Sequence, residues 1–218
     1  MPDATTQWSS KGTAYTDDDH KPIEMEAIGI SDDDENIKEI VIAGVLASLS
    51  IAVAPLGAIV PRVPGWGIAI FDPVSLLWIV AFLIGGFRVG SVSMTAGTFG
   101  LFFYDPTGVG PIFKFLATAP MIVVPWLAAR KFGGKSGGKY LAGHKAYAGS
   151  MFVAFLVRLG LMIPLNLVVV PILFPGFFTV EGIIIYTLIL NTLQSFWDAL
   201  IPYVVAYETP VYDNFGMW

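Results

Sequence analysis

The sequence predicts an all-α integral membrane protein, a bundle of six transmembrane helices with both termini in the cytoplasm. Three observations predict it. The 218 residues are 55% hydrophobic and only 13% charged, with a mean hydropathy of +0.70. An ordinary soluble domain carries about 25% charged residues, so much of this surface must face lipid. Six apolar segments follow one another between Gly, Pro and charged punctuation. Basic residues concentrate on alternate connections, mostly on one side of the implied membrane.

The elements follow in order. Residues 1–36 are acidic and polar with no apolar period, and are expected to be a disordered cytoplasmic tail. Residues 37–207 are expected to be the membrane domain, and 208–218 a short cytoplasmic tail. The first apolar segment runs from Ile37 to Val60. The second runs from Phe71 to Ile84 and ends at Gly85-Gly86-Phe87-Arg88. The third spans Val89 to Phe103 and the fourth Ile112 to Ala129. A loop from Arg130 to Lys145 holds Gly133-Gly134 and Gly137-Gly138. The fifth runs from Ala146 to Val170, before Pro171 and Pro175-Gly176. The sixth runs from Val180 to Tyr207. In lipid these segments must be helices, because exposed backbone groups find no water there. The second and third are short for spans of about 20 residues.

The net charge of -5 hides an asymmetry: eleven of the 17 acidic residues precede Ile40, and the remainder of the chain is net basic. Placing the N-terminus inside gives the cytoplasm Lys11, Lys21, Lys38, Arg88, Arg130, Lys131, Lys135, Lys139 and Lys145. The outer side receives Arg62, with Lys114 near an outer end. The positive-inside bias therefore sets the orientation. The outer connections, Pro61–Ile70, Tyr104–Pro111 and Pro171–Thr179, are rich in Gly, Pro and aromatics and are suited to capping a pocket.

Ionisable and amide side chains inside a membrane are costly and face the bundle interior. Asn191, Gln194, Ser195 and Asp198 share one face of the sixth segment. Arg158, Met162 and Asn166 share one face of the fifth. Counting 1.5 Å per residue from the inner ends brings Arg158 level with Asp198, and puts Asn166 and Asn191 further out. Two polar layers are expected. The inner is an Arg158–Asp198 ion pair that neutralises charge. The outer, Asn166 with Asn191 and Gln194, is a ligand site or a set of interhelical hydrogen bonds. Amides donate and accept, which suits a neutral hydrogen-bonding heterocycle. In the first segment Ala43 and Ala47, and likewise Gly44, Ser48 and Ala52, recur at four-residue spacing as a small-residue face, suited either to packing in the bundle or to docking a membrane partner.

Other chemistry finds no support. The stretch Arg130-Lys131-Phe132-Gly133-Gly134-Lys135-Ser136 is similar to the end of a phosphate-binding loop. It lacks the leading Gly, since Ala129 stands there, and it follows a membrane helix instead of a strand. His20 and His144 lie far from ligand spacing, cysteines are absent, and no nucleophile–base pair is visible. The chain is expected to be no enzyme and to bind no metal, no resident cofactor and no nucleic acid.

Four stretches in order carry a family resemblance. They are Ala43-x-x-x-Ala47; Phe71-Asp72-Pro73 with Gly85-Gly86-Phe87-Arg88-Val89-Gly90; Gly110-Pro111-Ile112-Phe113-Lys114-Phe115-Leu116-Ala117-Thr118; and Arg158-x-x-x-Met162-x-x-x-Asn166 with Pro171 and then Asn191. Over about residues 40–205 the chain resembles the riboflavin-specific S components of energy-coupling factor (ECF) transporters. The resemblance implies a multi-pass cell-membrane subunit that captures a vitamin, riboflavin, at its outer face. It also implies a transmembrane coupling protein, docked through Ala43 and Ala47, and two ATPase subunits in trans. The implied ligand set is Lys114, Asn166, Asn191 and Gln194, with Asp72. This chain departs from the family pattern in having Lys114 where Asn is usual, and Gln194 where Lys is frequent, which moves a charge between helices around one site. The rival expectations are a different heterocyclic vitamin with Lys114 holding an anionic group, a non-transporting membrane scaffold, and an autonomous facilitator.

Overall fold

A computed structural model of the chain describes residues 32–61, 69, 71–176 and 178–218. Nearly all of the expected N-terminal tail, with Lys11, His20 and Lys21, lies outside the described residues, as does Arg62. The elements are helical: α1 Asp32–Val53, α2 Pro73–Leu101, α3 Val109–Phe132, α4 His144–Leu173, α5 Val180–Tyr203 and the short α6 Val211–Phe215. Tight 3-10 turns follow α1 (Ala54–Ala58) and α3 (Gly134–Tyr140), and a π-helical turn, Val204–Glu208, extends α5. Five of the helical runs are long and apolar enough to cross a membrane. This is the architecture of a multi-pass membrane protein.

The boundaries move by a few residues from the sequence expectation, for local reasons. Helix α1 opens at Asp32, inside the expected tail, where acidic residues suit a helix N-terminus. Helix α4 continues past Pro171 to Leu173, and Pro164 also lies within it. The loop before it coils into the turn Gly134–Tyr140.

The second and third apolar segments form one helical run, α2, that doubles back on itself. Gly86 breaks it with φ 75° and ψ -170°, a conformation that glycine adopts without steric cost. A Cβ at Gly90 would come within 2.6 Å of the Phe82 Cβ, and one at Gly97 within 2.4 Å of the Trp78 Nε1. A straight helix would hold residues 78 and 97 about 28 Å apart, so the two arms lie antiparallel and in direct contact. Small residues on the second arm permit that approach.

The first arm is the centre of the protein. In α2, 78% of the most apolar stretch is buried, against 17–39% in the other four runs. Trp78, Ile79, Phe82 and Leu83 pack against Met121 and Ile122 of α3, Met151 and Ala154 of α4, and Tyr203 of α5. The outer faces of α1, α4 and α5 leave Val41, Val45, Phe152, Val153, Val168 and Phe196 exposed, as a lipid-facing surface requires.

Within residues 36–218, both chain ends lie at the same end of the bundle. Arg88, just past the α2 reversal, pairs with Glu39 at 3.3 Å, and Met217 N–H donates to Ile84 O at 2.9 Å. The basic residues Arg130, Lys131, Lys139 and Lys145 fall at this end, where α3 finishes and α4 starts. The opposite end carries the starts of α2, α3 and α5.

Candidate functional site

At that opposite end, α2, α3, α4 and α5 line a partly open cavity of about 360 Å³, within the range of small-molecule sites, about 300–1,000 Å³. Its apolar walls are Phe71, Pro73, Phe113, Ala117, Met162 and Leu190; its polar lining is Asp72, Lys114, Thr118, Arg158, Asn166, Asn191 and Gln194. All five residues of the expected ligand set meet here.

The floor is built around Arg158, which is only 2% exposed. Its Nη1 donates to Asp198 Oδ2 at 2.7 Å, its Nε to Asn191 Oδ1 at 2.8 Å, and its Nη2 to Gln194 Oε1 at 2.9 Å. The other oxygen of Asp198 accepts from the Ser75 hydroxyl at 2.7 Å. The Arg158–Asp198 pair is thus present, but the two expected layers are fused into one. Residues 191, 194 and 198 share a face of α5, and a single arginine side chain spans that face. The amide oxygens of Asn191 and Gln194 are turned to Arg158, which takes one lone pair of each and fixes their orientation. A buried ion pair survives only when its remaining lone pairs and protons are satisfied, and here each guanidinium nitrogen has an acceptor.

Higher in the cavity, the Asn166 and Asn191 amide nitrogens donate to Met162 O and Thr187 O, each at 2.8 Å and each four residues back. Lys114 Nζ and Asp72 Oδ2 form a 2.6 Å ion pair. Asp72 is also the N-cap of α2, its Oδ1 accepting from Val74 N–H at 3.1 Å. The cavity lining therefore carries two cations, Lys114 and Arg158, and one anion, Asp72, and each cation has a partner, since Asp198 lies buried behind Arg158.

Sequence reasoning missed Ser75 and Phe113. Ser75 follows Asp72 by three residues, one helical turn away, and that spacing was the available signal. Phe113 was quoted beside Lys114 without a role.

Of the small residues of α1, Ala43 and Ala47 are covered, whereas Gly44, Ser48 and Ala52 are exposed. Ala43 and Ala47 are 1% and 3% exposed, and Ala43 packs on Ala81 and Val89 of α2. Nearby, Trp78 Nε1–H donates to Ser50 Oγ at 2.9 Å. Ala43 and Ala47 are thus packed within the bundle.

A larger groove, about 460 Å³, opens on the outward face of α4 and α5 between Met151, Phe152, Phe155 and Phe196. It offers a hydrogen-bonding ligand little to grip. No group of three or more His, Cys, Asp or Glu among the described residues could hold a metal. Comparison with family models, curated proteins and solved structures found no match to this chain.

Proposed function

We propose that this chain is the substrate-capture subunit of a vitamin importer in the cell membrane, with riboflavin as its transported ligand. The observation that carries the reading is the cavity: partly open, lined by cations that each hold a partner, walled by Phe71 and Phe113, and set at the end of the bundle away from the basic residues. Positive-inside bias makes the basic end cytoplasmic. Both termini are then inside and the cavity faces outward. A flat ring would lie between Phe71 and Phe113, with Asn166 and the Lys114–Asp72 pair reading its polar edge. The transmembrane coupling protein and two ATPase subunits belong to this proposal on the family resemblance alone.

The Asp72–Lys114 pair argues for riboflavin over a ligand whose anionic group is held by Lys114, because Asp72 already occupies that ammonium.

The test is a titration of detergent-purified protein with riboflavin, followed by flavin fluorescence anisotropy. Saturation near one ligand per chain, weakened by Asn166→Ala with Asn191→Ala in folded protein, supports the reading. Unchanged affinity in that variant removes the site, and no saturation in the native chain removes riboflavin.

A further inference from the structure

Where α2 reverses at Gly86, the last carbonyls of the first arm lose their intrahelical partners. Two are taken by residues from the far end of the chain. Met217 N–H donates to Ile84 O at 2.9 Å and Trp218 Nε1–H to Leu83 O at 3.1 Å. The Trp218 ring packs 5.3 Å from that of Phe82. Trp218 O in turn accepts from Gly138 N–H at 3.1 Å and from the Tyr212 hydroxyl at 2.6 Å.

Three glycines shape the niche. A Cβ would approach Trp218 within 3.0 Å at Gly86, 2.7 Å at Gly137 and 2.8 Å at Gly138. Gly86 and the Gly137-Gly138 pair, which the cavity does not use, thus converge on one tryptophan.

We infer that residues 211–218 form a strap that sets the position of the first arm of α2, which makes Trp218 a positioning residue for the cavity. This rests on the cavity being the ligand site. The arm, residues 73–85, is a rod about 20 Å long. Its strap end is held at Leu83 and Ile84. Its other end carries Asp72, paired with Lys114, and Ser75, bonded to Asp198. Between them Trp78, Ile79 and Phe82 are fully buried, and a close-packed interior transmits a displacement at one end to the other.

The test is amide hydrogen exchange of the full chain in lipid nanodiscs, with Trp218→Ala against the native chain. Exchange should quicken by about tenfold or more along residues 74–85, including 74–78 beside the cavity, while residues 150–166 of α4 keep their rates. Trp218→Phe, which keeps a ring but loses the Nε1 donor, should fall between. Acceleration confined to residues 82–86 and 211–218 would overturn the inference. If Trp218→Ala does not fold, Tyr212→Phe should give the same pattern at smaller amplitude, and unchanged rates at 74–78 there would overturn it equally.

Riboflavin affinity, measured in parallel, should fall several-fold in Trp218→Ala; affinity equal to the native chain's would also overturn the inference. A native chain that binds no riboflavin would refute the functional proposal instead, and the exchange pattern would still decide the strap.

Discussion

Arg158 Nε donates to Asn191 Oδ1 at 2.8 Å, so the arginine that neutralises Asp198 also orients an amide lining the cavity. Structural charge balance and the proposed binding surface are one network. Its parts can be separated by asking which defects are rescued when both charges are removed together.

Removing one partner leaves the other charge buried. Arg158→Met should cost about 3–5 kcal/mol, and Arg158→Met with Asp198→Leu less than that single change. Thermal unfolding in detergent measures both. Ligand affinity should be lost in the single and the double variant alike, because Asn191 and Gln194 lose their common donor. Stability rescued without affinity is the expected signature.

The Asp72–Lys114 pair has a different dependence. Asp72→Asn keeps an acceptor for Val74 N–H but frees the ammonium, whereas Asp72→Ala also loses the cap, about 0.5–2 kcal/mol. Competition titrations should show the native chain preferring riboflavin over its phosphate ester. Asp72→Asn should narrow that preference, and Asp72→Asn with Lys114→Gln should restore it.

The α2 hairpin depends on the absence of side chains. Gly90→Leu would drive a side chain into Phe82, whose Cβ stands 2.6 Å from the ideal Cβ position. Overpacking of this kind costs about 1–3 kcal/mol. A lowered thermal midpoint should accompany loss of binding. An equally large residue at Gly149, where a Cβ meets nothing within 4 Å, should change neither.

The connection between α2 and α3 carries a pH dependence. The Thr107 hydroxyl, donating to Asp105 at 2.5 Å, holds that carboxyl below its ordinary value of 3.8, with help from Gly110 N–H at 2.9 Å. A lowered folded-state pKa gives a stabilising contribution that is present above the ordinary value and lost as pH falls through the folded one. Exchange at residues 107–110 should therefore quicken as pH drops below about 3.8, after correction for intrinsic rates. Asp105→Asn should abolish the effect.

Much of this was legible where helical periodicity applies. Asn191, Gln194 and Asp198 lie on one turn-spaced face, and depth counting brought Arg158 to Asp198. Counting heights could not show that a long guanidinium bridges three acceptors, so the fused floor was read as two layers. The Asp72–Lys114 pair joins residues with no periodic relation and was invisible. Gly85-Gly86 marked a break but not the contact of the two arms, which depends on Gly90 and Gly97 facing Phe82 and Trp78. The Ala43–Ala47 spacing says that something comes close without saying what. Residues 208–218 were read as a plain tail, because nothing local in Met217 or Trp218 signals partners at Leu83 and Ile84.

The most direct measurement is equilibrium dialysis of radiolabelled riboflavin against the full chain in nanodiscs, beside an Ala117→Trp variant. Ala117 lines the cavity and is buried, so an indole there fills the space a ligand needs. One riboflavin bound per native chain and none per folded variant is the predicted result. Binding that Ala117→Trp leaves unchanged, or no binding to the native chain, would contradict it.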